Sequence, residues 1–184
     1  AEIERHRAVR ATDERQRQAA LDRLQLLDTV PEQAYDDLTR LAAAVCDAPM
    51  ALVSLIDRDR QWFKSRYGVD FAQTERCIAF CDHAIRVPQQ MLVVSDARRD
   101  PRFRDNPLVH LGQGIRFYAG VPLVSPDGFA VGTLCVLDSR PRRLSTLQRE
   151  ALEGLARQVS RLLELRLRNL ELREALAERD RLAH

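Results

Sequence analysis

The chain has 184 residues, 45% hydrophobic and 30% charged, and its 29 basic and 27 acidic side chains leave a net charge of +2 with the histidines neutral. That suits one domain with helical extensions, and the apolar content supplies a core. Interspersed charge argues against a nucleic-acid partner, and no apolar run or leader pattern points to a membrane span or a secretory signal.

In chain order, residues 1–28 read as helix, with Ala19, Ala20, Leu21, Leu24, Leu26 and Leu27 on an apolar face. Thr29 followed by Pro31 and Glu32 has the form of a capping box. It predicts a helix to about Cys46, carrying Tyr35, Leu38, Leu41, Ala42 and Val45 and ended by Ala48-Pro49. The apolar run 50–56 and the aromatic-bearing run 61–67 form a hairpin around residues 57–59. Residues 77–86 predict a short helix with Cys77, Ile78, Cys81 and Ile85 on one face, and residues 91–95 a further strand.

The stretch 96–114 predicts a long loop with a short helix. Asp96, Asp100-Pro101, Asn106-Pro107 and Gly112 shape its backbone. A second hairpin, 117–124 and 129–137, turns at Ser125-Pro126-Asp127-Gly128. Ser145 with Gln148 is a capping box that opens the final helix.

From Leu155 to His184 there is no glycine or proline, and apolar residues recur every seven. With Leu155 at position a, Leu162, Asn169 and Leu176 share that position, and Gln158, Leu165, Leu172 and Arg179 fall at d. A single Asn at a favours a two-stranded parallel coil. A second stripe, Leu163, Leu167 and Leu170, competes with this register and is expected on the domain or the first helix. These features divide the chain into an N-terminal helix of a dimer bundle (1–28), a core (29–144) and a signalling helix (145–184). The expected assembly is a homodimer, and the expected context is an input module of a longer protein.

The order of elements resembles a GAF domain over about residues 20–165, in particular the bacterial subgroup that precedes signalling outputs. The resemblance rests on residues 51–57 (Ala-Leu-Val-Ser-Leu-Ile-Asp), 60–65 (Arg-Gln-Trp-Phe-Lys-Ser), 80–85 (Phe-Cys-Asp-His-Ala-Ile), Asp96-Ala97 with Asp100-Pro101-Arg102-Phe103, 115–120 (Ile-Arg-Phe-Tyr-Ala-Gly) and 132–136 (Gly-Thr-Leu-Cys-Val). It implies an α+β fold: a central antiparallel sheet, terminal helices on one face, and a small-molecule pocket on the other. The closing residues 179–184 (Arg-Asp-Arg-Leu-Ala-His) are similar to the helix that leads into a GGDEF domain. They imply a diguanylate cyclase as the covalently linked output, with a histidine kinase as the next choice.

The resemblance implies a pocket, for which Trp62, Phe63, Phe117 and Tyr118 are the aromatic-wall candidates, with core packing as the alternative for aromatics on strands; His83 and Arg116 are the polar handles, and Cys81 is a further ligand-binding candidate. Arg116 suits a carboxylate or phosphate, or alternatively pairs with Asp96 or Asp100 to pin the long loop. The ligand is unidentified and no cofactor is named. Cys77, Cys81 and His83 invite a zinc reading, but three ligands at this spacing fit no usual zinc module. Four cysteines, Cys46, Cys77, Cys81 and Cys135, look like reduced thiols of a cytoplasmic protein rather than a disulfide framework.

Some GAF relatives reduce free methionine sulfoxide with pocket cysteines, and Cys81 corresponds roughly to one of them. Bilin attachment is disfavoured because Asp82, not His, follows Cys81, and the dispersed cyclic-nucleotide signature is not found. Haem through His83 or His110 stays open. The expected function is a non-catalytic sensor coupled through its exit helix to the output. A spacer with a filled core is the rival reading.

Overall fold

The computed structural model describes residues 2–112 and 114–184, with side chains from residue 13 onward. Helix α1 (Glu2–Arg23) leads into α2 (Gln33–Cys46), the hairpin β1 (Met50–Ile56) and β2 (Arg60–Tyr67), and the short strand β3 (Gln73–Glu75). A 3-10 turn (Arg76–Ile78), α3 (Phe80–Ala84), β4 (Leu92–Val94), a second 3-10 turn (Ala97–Arg99) and α4 (Pro107–His110) follow. The hairpin β5 (Phe117–Val124) and β6 (Ala130–Asp138) and the 37-residue α5 (Thr146–Leu182) complete the chain. The six strands form one antiparallel sheet in the order β3-β2-β1-β6-β5-β4.

Both faces of this sheet are covered, so the central strands are buried along their length; all nine residues of β6 are buried. Successive side chains of a strand point to opposite faces. On β1, Ala51, Val53 and Leu55 therefore join α1, α2 and α5, while Leu52 and Ile56 join the layer of α3, α4 and the long loop. Two bulges adjust this alternation. Lys64 is an extra residue on β2 between the pairs Val53–Ser65 and Ser54–Phe63, and Val131 an extra residue on β6 between the pairs Leu123–Gly132 and Val124–Ala130.

Polar pins hold the helical layer in place. The buried Lys64 ammonium donates to Thr29 Oγ1 (2.8 Å) and the Val30 carbonyl (2.6 Å) and pairs with Glu32 (2.6 Å). This explains a departure from expectation. The Thr29–Glu32 capping box does not form: Glu32 is the N-cap but makes no side-chain cap bond, and Thr29 donates instead to the Leu26 carbonyl (2.6 Å). Both residues are used across the layer by Lys64. Ser145 and Gln148 do cap α5 reciprocally, at 3.1 and 3.0 Å.

The segment expected as one helix over 77–86 is broken at Ala79, which is extended (φ −78, ψ 125). Cys77 is thereby exposed and Cys81 buried, so the two do not share a helical face. On α5, Leu152, Ala156, Val159 and Leu163 are buried against the sheet, with Leu155, Leu162 and Leu167 packed beside them. Leu155 and Leu162 are thus half-buried on their own domain, whereas Leu165, Leu172 and Leu176 are exposed. Asn169 and every residue from 171 to 184 are exposed too. Among the described residues, no helix is long and apolar enough to cross a membrane.

Two outcomes follow from this packing. A Cβ on Gly132 would stand 1.9 Å from the Ser54 carbonyl oxygen and 3.0 Å from Leu55 Cα, so Gly132→Ala must push apart the two central strands. It should lower unfolding stability by about 3 kcal/mol, read by urea denaturation. Glu14, half-exposed on α1, pairs with Arg17 (2.9 Å) and Arg76 (2.6 Å). Burial pushes its carboxyl up, but these two guanidinium groups outweigh that and lower its pKa from 4.5 to about 2. A lowered folded pKa adds stability that is complete above the unfolded value and is lost as pH falls through the folded one. Discounted for solvent screening, Glu14→Gln should cost about 1 kcal/mol at neutral pH, and the gap should close between pH 4.5 and about 2.

Candidate functional site

On the sheet face opposite α5 lies a cavity of about 520 Å³. Its floor is made by side chains from β1, β2, β5 and β6, including Leu52, Phe63, Tyr118 and Leu137; its walls come from α3, the loop after β2, and the α4 region. Phe80 stacks on Phe103 (centroids 4.3 Å) and tilts against Tyr118 (5.4 Å), making a rigid aromatic wall. The long loop closes over the opening: the Ile115 amide donates to the Leu108 carbonyl (2.8 Å) and the Gly114 amide to the Leu111 carbonyl (3.0 Å). Leu111 and Phe71 stand exposed at the rim.

Phe63, Cys81 and Tyr118 line this cavity. Trp62, His83 and Arg116 do not, and each correction has a physical cause. Trp62 and Phe63 are neighbours on β2, so they face opposite ways; Trp62 packs into the helix-side core. Phe117 is parted from Tyr118 in the same manner. His83 follows Cys81 on α3 by two residues, which turns it away from the cavity; its ring sits edge-on to Phe103 at 4.7 Å. Burial, with Arg86 next, lowers its pKa below the usual imidazole value.

Arg116 forms a two-bond ion pair with Asp96, both contacts at 2.8 Å, on an open surface groove away from the cavity. Asp96 also caps the turn Ala97–Arg99, so the arginine pins the start of the long loop. His110 is exposed beside the Arg104 carbonyl. Among the described residues, no group of three or more His, Cys, Asp and Glu is arranged to hold a metal ion.

The polar lining that sequence reasoning missed comprises Gln61 and Thr74 at one end, with Asp70 and Ser139 besides. Ser54 donates to Gln61 Oε1 (2.8 Å), and Gln61 Nε2 donates to Thr74 Oγ1 (2.9 Å). The period-two rule applied to Phe63 would have found Gln61, since residues two apart on a strand share a face. Apolar loop residues such as Val69, Leu108 and Leu111 carried no such signal. The lining includes no basic side chain among the described residues, and its sole carboxylate, Asp70, is exposed. An anionic ligand inside would lack a charged partner, and burying unpaired charge is costly.

Cys81 is the most polarised group at the floor. Its sulfur accepts from Thr133 Oγ1 (3.0 Å) and Tyr118 Oη (3.2 Å) and lies 3.9 Å from the Cys135 sulfur. Burial alone would raise this thiol, yet hydrogen bonding with Cys135, Thr133 and Tyr118 brings it below the usual thiol value. Cys46 lies in the helix-side core and Cys77 on the surface, so of the four cysteines Cys81 alone lines the cavity.

The division of the aromatics is directly testable. Trp62→Ala should remove about 3 kcal/mol of stability from the helix-side core, measured by chemical denaturation. Because Trp62 does not line the cavity, the exchange should leave uptake of a small apolar fluorophore unchanged, whereas Phe63→Trp should block it.

Comparison with known proteins places this architecture. Residues 30–163 match the family model described as GAF domain. Over 130 residues the chain is 43% identical to a cyclic di-GMP phosphodiesterase of Pseudomonas aeruginosa, a match covering 71% of this chain and 22% of that protein. The chain thus spans about a fifth of the length of that relative. The GAF domain of an Acinetobacter phosphoenolpyruvate-protein phosphotransferase superposes with a TM-score of 0.57 at 17% identity, covering 78% of this chain and 91% of that one. The blue-light-absorbing form of the Thermosynechococcus elongatus PixJ GAF domain gives 0.56 at 16% identity, covering 91% and 94%. At these identities the structural likeness concerns fold alone. Six antiparallel strands, a covered cavity, a long C-terminal helix and a family match across most of the chain lead to one conclusion: the chain belongs to the GAF domain family.

Proposed function

We propose that this chain is the non-catalytic sensory module of a bacterial cyclic di-GMP signalling protein, and that it dimerises and signals through α5. The observation that carries the reading is a cavity on one face of β5 and β6 with α5 packed on the other face of the same strands. A change in cavity contents reaches the helix through one layer of sheet. On the side away from its packed leucines, α5 carries an exposed stripe of Leu165, Asn169, Leu172 and Leu176 onward. A second copy of this chain is the occupant that suits that stripe, because leucines at heptad positions with one polar a residue pair in parallel register.

The cavity supports sensing over spacing. A pure spacer would fill this volume with its own side chains, and Trp62 and Phe117, the residues suited to that, point away from it. The lining favours a neutral, largely apolar molecule with one polar end at Gln61 and Thr74. The relative from Pseudomonas aeruginosa favours a cyclic di-GMP phosphodiesterase as the output over the diguanylate cyclase suggested by the closing residues 179–184.

The reading predicts a dimer by light scattering coupled to size exclusion, at micromolar chain concentration. Leu172→Lys with Leu176→Lys should convert it to monomer, because paired lysines at facing positions repel and lose their apolar contact. Circular dichroism should show the GAF core intact. A wild-type monomer at high concentration would remove the proposal. Native mass spectrometry of the same sample reports whether a small molecule copurifies.

A further inference from the structure

Beneath the cavity, two thiols from different elements face one another. Cys81 comes from the five-residue helix α3 and Cys135 from the central strand β6, with sulfurs 3.9 Å apart and both side chains buried. Cys81 forms part of the cavity wall; Cys135 lies behind it. The hydroxyls of Thr133 and Tyr118 both donate to the Cys81 sulfur. Burial holds the protons of Cys135 and Tyr118 in place, pushing both groups well above their usual range. Either sulfur can donate in the sulfur–sulfur contact; with Cys135 as the donor, Cys81 receives three hydrogen bonds. Such a cluster stabilises a thiolate at Cys81 and keeps a protonated thiol within reach of it.

We propose that Cys81 and Cys135 are a peroxide-reactive pair, with Cys81 the attacking sulfur and Cys135 the resolving one. A hydroperoxide small enough to enter the cavity is the oxidant. The Cys81 sulfur attacks one peroxide oxygen; an S–O bond forms, the O–O bond breaks, and the leaving oxygen takes the proton that Cys81 gave up. Cys81 is now a sulfenic acid. The Cys135 sulfur then attacks the Cys81 sulfur; the S–S bond forms, the S–O bond breaks, and the departing hydroxyl leaves as water with the Cys135 proton. The two thiols together lose two electrons, and one peroxide is reduced.

Bond formation requires the sulfurs to close from 3.9 Å to about 2 Å. Helix α3 is the element able to move: it is a single short helix bounded by the extended Ala79, whereas β6 is paired on both sides. Its displacement carries Phe80, which forms the cavity wall against Tyr118. Oxidation therefore reshapes the cavity. This deepens the sensory reading and rests on it only for transmission to the output; the chemistry is tested on this chain alone.

The experiment treats the Cys77→Ser chain with hydrogen peroxide, blocks remaining thiols, and maps peptides by mass spectrometry. The expected product is a Cys81–Cys135 cross-linked peptide with two hydrogens fewer, restored by dithiothreitol. Cys135→Ala should stop at a sulfenic acid that dimedone labels on Cys81. Tyr118→Phe should slow oxidation about tenfold, since a hydrogen bond to the thiolate is lost. Peptide mapping of the chain with both thiols intact decides the matter even if a variant fails to fold. Cys81 and Cys135 both remaining alkylatable after unfolding, or Cys81 oxidised without a cross-link, would overturn the pair. A cross-link in a chain that proves monomeric would retain the chemistry and dismiss the dimeric signalling route.

Discussion

Everything in this molecule depends on a sheet that is buried on both faces. The central pair β1 and β6 approach so closely at Gly132 that no side chain fits between that residue and the backbone at Ser54. Once those strands are locked in register, each side chain is committed to one of two cores. The helix-side core takes Val53, Trp62, Phe117 and Val136; the cavity side takes Leu52, Phe63, Tyr118 and Cys135. A one-residue slip would exchange these sets, placing Trp62 and Phe117 in the cavity and turning Cys135 away from Cys81.

Around this sheet, arginine and lysine tie distant segments together by donating to backbone carbonyls rather than only to carboxylates. Arg17 reaches the Ile56 carbonyl (2.8 Å) at the end of β1. Arg166 on α5 reaches the carbonyls of Leu24 and Gln25, both at 2.6 Å, where α1 ends. Arg142 donates to the Asp47 carbonyl (2.8 Å) and to that of Cys46, at the end of α2. These bonds satisfy helix-terminal and turn carbonyls that lack partners of their own. They also couple the base of α5 to the connections that hold α1 and α2, so α5 leaves the domain from a fixed base. Its free leucines begin at Leu165 and continue beyond that base.

The same logic gives the cavity its character. Strands supply a rigid floor, a stacked aromatic pair supplies one wall, and loops supply the roof. Polar groups at the floor are bonded to each other: Ser54 to Gln61, Gln61 to Thr74, and Thr133 and Tyr118 to Cys81. No buried side-chain nitrogen or oxygen among the described residues lacks a partner. A ligand here gains mainly from apolar burial, and its polar end competes for hydrogen bonds already made. Shape and hydrophobicity therefore dominate its selection.

Local pattern determined much of this chain. Apolar runs with turn residues between them, Asp57 to Asp59 and Asp127-Gly128, place both hairpins, the Ser145–Gln148 box starts α5, and a stretch without glycine or proline carries it to Leu182. Those signals are short-range, and each contains its own cause. Period-two alternation also separates Trp62 from Phe63 and Phe117 from Tyr118. What tertiary structure decided lies between segments far apart in the chain. Lys64 took Thr29 and Glu32 away from a helix cap; Asp96 claimed Arg116 across the long loop; the break at Ala79 sent Cys77 to solvent and Cys81 inward. The meeting of Cys81 with Cys135 belongs to that second kind, because it requires α3 to settle on β6 across a 54-residue separation. Periodicity reports which residues share a face, but only packing decides which faces meet.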